Sequence, residues 1–351
     1  MRSKLLEIPT GDVGTVHIVY DFVTPQQELL LIDKINAAGG DAPAEAQQGD
    51  ITPAQNGDGG EVGEGAATAQ PGGTASKAGK AWGWKELNGR RSMYWGGTLL
   101  ASGALVPAPL PPFMDGSYPD VMGRIAETGV YDEWTGGKGK GKERGPNHCL
   151  VNEYLPGQGI LPHTDGPAYL PCTTTLSLGS HTVLCLRSKP AHLSTPISSS
   201  SPSPATATSS DAGPDPPADA TPAPSPSEVE KLDLFLPPRS LLVLSSTLYT
   251  DWLHGIQPLK ADSSEALRGC RNWEGWWEWQ AQAAEARAEV VAEAQEEGGE
   301  GEEGQQKRES KEEVMARKKL VEAGHGWERG KRVSLTCRRV AKVKKGLFKF
   351  G

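Results

Sequence analysis

The stretch that decides the fold runs from Asn147 to Leu186 and reads NHCLVNEYLPGQGILPHTDGPAYLPCTTTLSLGSHTVLCL. Apolar and polar residues alternate on both sides of the triplet His163-Thr164-Asp165, which is typical of strands with one buried face. Segments 173–178 and 181–186 flank Gly179-Ser180, a pair that favours a hairpin turn. The stretch therefore predicts three short strands over 149–187, with a histidine and a carboxylate close together at a strand end.

The His163-Thr164-Asp165 triplet is a candidate metal site. A histidine and a carboxylate two residues apart can reach one point from a bent strand end. With a second histidine they form the 2-His-1-carboxylate triad that binds Fe(II) and leaves three coordination positions open. His254 follows the apolar run Ser240–Leu244, which is typical of a buried strand, and it is our candidate for that second histidine. The alternative is an exposed turn, since Asp165-Gly166-Pro167 has ordinary turn composition.

Residues 332–338 form a candidate anion site. Side chains of a strand alternate between its two faces. One face of this segment would therefore be apolar, and the other would carry two arginines and two hydroxyls, namely Arg332, Ser334, Thr336 and Arg338. The planar guanidinium fork binds carboxylates in a bidentate manner. Asn152 and Tyr154, just before the His-x-Asp triplet, could add an amide and a phenol hydroxyl to the same polar ligand.

These motifs, taken in order, resemble those of the AlkB family of Fe(II)- and 2-oxoglutarate-dependent dioxygenases. The likeness is greatest to the subfamily of the sixth vertebrate homologue. The segments that carry it are 150–160, 163–167, 175–184, 238–244, 253–256 and 332–340, together with Gly89-Arg90-Arg91 and Trp95-Gly96-Gly97. One departure is Ser334, which stands where the family usually has asparagine. The insertions between these segments match nothing in the family.

The resemblance implies a double-stranded β-helix, or jelly-roll barrel, with its metal at the barrel mouth. It implies Fe(II) bound by His163, Asp165 and His254, with 2-oxoglutarate and O2 as co-substrates. The residues expected around 2-oxoglutarate are Arg332, Ser334 and Tyr154 at its far carboxylate, with Asn152 and Arg338 completing the site. The implied reaction is oxidative dealkylation of a base in DNA or RNA.

Three other functions remain open at this stage. A 2-oxoglutarate oxygenase that hydroxylates a protein would have the same metal and co-substrate sites and would differ only in its lid. A binding module could have kept the barrel and lost turnover. A zinc hydrolase could use the same ligands, but it would not need the arginine pair.

Composition sets broader limits. The chain has a net charge of −8, and its charged residues are unevenly distributed. Segment 283–306 is acidic, whereas 331–351 holds eight Lys or Arg and no acidic residue. The basic end could contact phosphates or could be a solvated terminus. The five cysteines are odd in number and form no C-x-x-C pair, which favours reduced thiols. With no apolar run of membrane-spanning length, we expect a non-membrane monomer of the cytoplasm and nucleus.

The fold class expected is mainly β, with N-terminal helical support and long disordered or helical insertions. Thr24, Pro25 and Gln27 predict an N-cap, a first helical residue and a capping box for a helix ending near Asn36. The predicted segments are 1–36, the N-terminal strand and helix; 37–80, a low-complexity insertion; 81–148, the lid and support region; 149–187, barrel with His-x-Asp; 188–228, a Ser/Pro-rich insertion; 229–261, barrel with the second histidine; 262–330, a Trp/Glu-rich insertion; and 331–351, the arginine-bearing strand and basic tail.

Two groups of tryptophans have open roles. Trp82 and Trp84 in the lid region could stack on bases or pack the lid onto the barrel, and packing is favoured. The cluster over Trp273–Trp279 could be a surface for a protein partner or a cap on the barrel. For this second cluster the sequence does not distinguish the two alternatives.

Overall fold

A computed structural model describes residues 4–10, 13–14, 16–41, 82–136, 143–189, 229–296 and 309–344, with side chains of the long helix described as far as residue 289. Most of the two predicted insertions 37–80 and 188–228 lies outside these ranges, as does the end of the basic tail. The described part of the chain is mainly β. None of its helices is long and apolar enough to cross a membrane.

The strands of the described chain, in order, are β1 (Leu6–Ile8), β2 (Val16–Val19), β3 (Lys85–Leu87), β4 (Arg90–Trp95), β5 (Gly97–Leu99), β6 (Leu105–Pro107), β7 (His148–Tyr154), β8 (Ile160–His163), β9 (Tyr169–Leu178), β10 (Thr182–Ser188), β11 (Lys231–Leu236), β12 (Leu241–Ser245), β13 (Trp252–Ile256), β14 (Ala261–Asp262), β15 (Trp327–Glu328) and β16 (Arg332–Val340). The helices are α1 (Pro25–Gly39), α2 (Val121–Glu127), α3 (Asp132–Thr135), α4 (Ser246–Thr250), α5 (Ser264–Arg268), α6 (Trp273–Glu296) and α7 (Lys311–Glu322).

Two large antiparallel sheets organise these strands. The major sheet has eight strands in the order β1-β2-β12-β9-β16-β7-β4-β3, and the minor sheet has four in the order β11-β10-β13-β8. The long insertion after Ser188 joins neighbouring strands, since β10 and β11 pair with Arg187 opposite Lys231. The strands that carry His163 and His254 also pair, with these two residues opposite each other. The sheet pairing thus brings both histidines to one place.

The predicted hairpin at Gly179-Ser180 is wrong. β9 pairs with β12 and β16 in the major sheet, whereas β10 pairs with β11 and β13 in the minor sheet. The turn therefore carries the chain from one sheet to the other. Turn chemistry alone cannot tell these cases apart, because it shows that the chain reverses but not which strand each partner pairs with.

Alternation along the major-sheet strands divides the core into two layers. In β12, Leu242 and Leu244 join a cluster with Leu184 and Leu234 of the minor sheet. Leu241 and Val243 face the other way, into a second cluster that contains Leu31 and Ile35 of α1. The major sheet is therefore buried on both faces, by the minor sheet on one side and by helices on the other.

The predicted start of α1 is confirmed. The Thr24 side chain accepts a hydrogen bond from the Gln27 amide, and the Gln27 side chain accepts one from the Thr24 amide, which completes the capping box. The helix continues three residues past the predicted end at Asn36. It stops at Gly39, because Gly40 adopts the left-handed conformation (φ 89°) that favours glycine at a helix C-terminus.

Replacing Thr24 with alanine is expected to lower the free energy of unfolding by about 1 kcal/mol, since the exposed cap would leave helix amides without a protein partner. Urea denaturation of the variant and the wild type measures the difference. The exposed neighbour Gln26 provides a control, because Gln26→Ala leaves the cap intact. Equal losses in both variants would contradict a specific capping effect.

The tryptophan cluster belongs to the core. Trp273, Trp276 and Trp277 are each at most 2% exposed. Trp273 and Trp276 pack against Phe235 of β11, and Trp277 packs against both of them. Phe235 points away from the large cavity described below, because its strand neighbour Leu236 lines that cavity. The helix α6 thus covers the outer face of the minor sheet. Of the two alternatives for the Trp273–Trp279 cluster, the burial of these three indoles contradicts a partner-binding surface and agrees with a cap over the sheet.

The lid tryptophans also pack. Trp82 lies edge-on to Trp95 with ring centroids 6.4 Å apart. Trp84 donates from its indole nitrogen to Asp41 at 3.2 Å, and the Arg91 guanidinium lies over its ring. Both side chains join the layer beneath the major sheet, on the face opposite the cavity. This agrees with packing and not with base stacking.

Candidate metal and anion site

A cavity of about 750 Å³ opens between the two sheets. The alternation predicted for β16 places its polar face there, since Arg332, Ser334, Thr336 and Arg338 all line the cavity. The intervening residues, Val333, Leu335 and Cys337, are fully buried in the core layer on the other face. A single strand therefore contributes both a core stripe and a polar floor.

The register of β7, β16 and β9 arranges the residues of this polar floor in rows across the three strands. Each row contains one residue from β7, one from β16 and one from β9, paired side by side. The rows are Asn152, Ser334 and Ser177; Leu150, Thr336 and Thr175; and His148, Arg338 and Thr173. The central part of the major sheet therefore presents amide, hydroxyl and guanidinium groups to the cavity, where an otherwise apolar wall would be expected.

The three predicted metal ligands meet at this cavity. His163, Asp165 and His254 each offer a ligand atom, and these atoms all lie within 4.8 Å of one another. The two imidazole rings have centroids 4.4 Å apart, and His254 Nε2 lies 3.7 Å from Asp165 Oδ1. The pairing of β8 with β13 and the short step from His163 to Asp165 hold the group together.

The His163 ring is prepared for metal binding. Its Nδ1 donates to the carbonyl oxygen of Leu161 at 2.8 Å, and because a carbonyl only accepts, that nitrogen carries the proton. The lone pair is thus left on Nε2. Burial, followed by the nearby His254, lowers the pKa of His163 to about 4, so the ring is neutral at physiological pH. A neutral imidazole with a fixed tautomer is the form that binds metal.

Asp165 is a buried, ionised carboxylate. Burial by itself would raise its pKa, but Arg338 and His254 hold the pKa well below its usual range. Arg338 Nη2 donates to Asp165 Oδ1 at 2.5 Å. The other oxygen, Oδ2, is buried and has no hydrogen-bond partner among the described residues. One oxygen is therefore held by the protein and the other is available to a cation.

Arg332 lies buried at the other end of the polar face of β16. Its Nη2 donates to Ser177 Oγ at 2.9 Å, and its guanidinium lies 5.7 Å from the centre of the Tyr154 ring. No carboxylate pairs with it in the described part of the chain, and its buried Nε has no partner there. Burial lowers the pKa of Arg332 to about 10. A buried cation compensated only by neutral groups is a suitable site for an anionic ligand.

The site residues fit Fe(II) with a 2-oxo acid. The donor set is two imidazoles and one carboxylate, with a buried carboxylate oxygen and a buried His254 Nδ1 that have no partner among the residues described. An acid with a second carboxylate matches the uncompensated Arg332. A zinc hydrolase would have no use for that arginine.

Of the remaining predicted residues, Asn152 lies on the cavity floor and accepts from Arg90 Nε at 3.0 Å, and Tyr154 lies beside Arg332. Arg338 donates to Asp165, the carboxylate of the candidate metal site. Sequence reasoning missed Ser177, the partner of Arg332, and Tyr169, whose ring lies against Arg338. The hydroxyl residues Thr173, Thr175 and Ser177 alternate along β9, and that pattern could have marked a second polar face.

Comparison with known proteins follows the same direction. No protein-family model matches the sequence. The chain is 32% identical over 179 residues to a Danio rerio protein named "Probable RNA/DNA demethylase ALKBH6". This relative agrees with the resemblance of the motifs to the AlkB family. The match covers 51% of this chain and 59% of the relative, so the chain spans less than two thirds of that protein.

Two further matches are weaker. "Uncharacterized protein L905" of Acanthamoeba polyphaga mimivirus is 29% identical over 118 residues, which are 33% of this chain and 39% of the viral protein. The solved structure entitled "The structure of OsALKBH1" aligns with 96% of this chain and 100% of its own, at 13% identity and a TM-score of 0.36. A TM-score of this size does not establish a common fold. The likeness to the AlkB family therefore rests on the sequence match and not on this superposition.

Proposed function

We propose that this chain is an Fe(II)- and 2-oxoglutarate-dependent dioxygenase that removes alkyl groups from nucleic-acid bases. The observation that carries the proposal is the shared cavity of the His-Asp-His triad and the uncompensated Arg332. Such a pairing suits a ligand with a chelating 2-oxo acid at one end and a carboxylate at the other. The named activity of the Danio rerio relative supports the substrate class.

In this proposal His163, Asp165 and His254 hold Fe(II). Arg332, with Ser177 and Tyr154 beside it, binds the distal carboxylate of 2-oxoglutarate, while Ser334 and Asn152 supply polar groups between the two ends. When bound, Fe(II) with 2-oxoglutarate and O2 would supply the oxidant that hydroxylates a C–H bond. An N-alkyl carbon hydroxylated in this way leaves its nitrogen as an aldehyde.

The protein's own part is orientation and exclusion of water. Leu184, Leu236, Leu242 and Leu244 form an apolar wall of the cavity. In a dry site the charged interactions of Arg332 and Arg338 are stronger than in water. We also propose that the two sheets form the double-stranded β-helix expected from the sequence, with the triad at its mouth.

The cavity mouth suits a planar substrate attached to a flexible chain. Tyr94 is 53% exposed and Leu161 is 84% exposed, and both line the opening near His163. Arg90 lines the same cavity and could contact phosphate, whereas Arg187, which also lines it, is ion-paired with Asp233. A protein hydroxylase would share the metal and co-substrate sites, so product analysis has to separate the two.

The test is to incubate the Fe(II)-loaded protein with 2-oxoglutarate, O2 and single-stranded DNA or RNA oligonucleotides that carry N-methylated bases. We expect formaldehyde and succinate in equal amounts and the mass of the oligonucleotide reduced by one methylene unit. The His254→Ala variant is the negative control. Succinate released without any change in the oligonucleotides would overturn the proposed substrate class and leave the oxygenase.

A further inference from the structure

A stack of four planar side chains runs from the cavity mouth to Asp165, the carboxylate of the proposed metal site. The Arg338 guanidinium lies 5.0 Å from the centre of the Tyr169 ring. Tyr169 is hydrogen-bonded through its hydroxyl to His148 Nδ1 at 3.1 Å and stacks with that ring at 5.9 Å and 20°. Tyr94 stacks on the other side of His148 at 5.5 Å and 17°. The stack starts at the exposed Tyr94 and ends at the Arg338 guanidinium, which contacts Asp165.

Arg338 needs to be restrained if Asp165 is to bind a metal. A guanidinium opposite a carboxylate prefers a bidentate arrangement that occupies both oxygens. Here Nη2 reaches only Oδ1, while Oδ2 has no partner among the described residues. A bidentate pair would leave no buried oxygen for a cation. The orientation of the guanidinium therefore determines whether the carboxylate can serve as a ligand.

The surroundings of Arg338 leave Tyr169 as the group that fixes this orientation. In the strand register Arg338 lies between His148 and Thr173, and Thr173 Oγ1 has no partner in the described chain. The Nε of Arg338 is also buried without a partner there. On the neighbouring strands of the described chain, Tyr169 is the side chain that contacts the guanidinium, through its ring and through its hydroxyl. His148 in turn holds Tyr169.

We propose that Tyr169, held by His148, is a positioning residue for the metal carboxylate: its ring keeps Arg338 on Oδ1 of Asp165 and so reserves Oδ2 for the metal ion. The inference rests on the proposed metal site, and it goes beyond the ligands themselves. Groups that orient a ligand from outside the coordination sphere typically change metal affinity by about 10- to 100-fold when they are removed. The ring supplies the contact surface, and the hydroxyl contacts both Arg338 and His148.

Two Tyr169 variants separate the ring from the hydroxyl. Tyr169→Leu removes the flat surface, and we expect Mn(II), an electron paramagnetic resonance probe for the Fe(II) site, to bind about 10-fold more weakly. Tyr169→Phe keeps the ring but removes the hydroxyl contact with Arg338, and we expect an affinity between those of Tyr169→Leu and the wild type. The exposed Tyr118 gives a matched control in Tyr118→Phe, expected to bind as the wild type does. Far-ultraviolet circular dichroism checks that each variant is folded.

A purely structural role would lower the melting temperature of Tyr169→Leu and leave Mn(II) affinity unchanged, and that result would overturn the proposal. A second readout does not depend on the metal. In the metal-free protein the Arg338 Nε–H resonance, observed by nuclear magnetic resonance, should exchange faster with water in Tyr169→Leu than in Tyr169→Phe. If the wild type bound no Mn(II), the proposed metal site would fail, whereas equal exchange rates in both variants would refute the positioning role itself.

Discussion

The Asp165→Ala variant is expected to lose metal binding and to unfold more easily than the wild type, by about 3 kcal/mol. Removal of the carboxylate takes away one metal ligand. It also leaves Arg338, which is almost fully buried, without its only ion-pair partner in the described chain. Most of the expected loss of stability comes from the unpaired, buried charge of Arg338. Water in the cavity reduces this loss. Isothermal titration with Mn(II) and urea denaturation measure the two effects separately.

The His163→Ala variant provides the matched comparison. It removes another proposed ligand, so Mn(II) binding should be lost to the same extent. His163 is only partly buried and forms no ion pair with Arg338, so stability should change by less than about 1 kcal/mol. Equal destabilisation of the two variants would contradict the assigned Asp165–Arg338 pair. Undiminished Mn(II) affinity in either variant would contradict the triad.

A second large effect is expected at Trp277. Trp277→Ala should lower the free energy of unfolding by about 3–5 kcal/mol, because it deletes a fully buried indole from the cluster around Phe235. The adjacent Glu278 is exposed on the same helix, and Glu278→Ala should change stability by less than about 0.5 kcal/mol. Urea denaturation measures both. A loss below about 1 kcal/mol for Trp277→Ala would mean that α6 is a dispensable appendage and not part of the core.

The sequence predicted best where local periodicity determines the outcome. The alternation in β16 correctly separated the polar face from the apolar one, and the Thr24–Gln27 pair correctly marked the start of α1. Both features depend on residues that are close in sequence. The grouping of His163 with His254 as metal ligands was predicted from the order of the motifs. In the structure, strand pairing places these two residues opposite each other.

The errors concern long-range packing. The turn at Gly179-Ser180 is compatible with a hairpin and with a crossover between sheets, and only the competition for partners among β12, β16 and β11 decides between them. The cluster at 273–277 is flanked by glutamates, which favours a surface helix in composition. Its burial depends on Phe235, nearly forty residues earlier in the chain. Neither fact can be read from a local window.

The most direct test of the proposed oxygenase is an anaerobic titration of the Fe(II)-loaded protein with 2-oxoglutarate, followed in the visible spectrum. Chelation of Fe(II) by a 2-oxo acid produces a metal-to-ligand charge-transfer band. We expect that band in the wild type and in the exposed-residue control Lys342→Ala. In Arg332→Ala it should require at least about 10-fold more 2-oxoglutarate, since a charged hydrogen-bonded partner is lost. Folded, iron-bound protein that shows no band at saturating 2-oxoglutarate would contradict the proposed function.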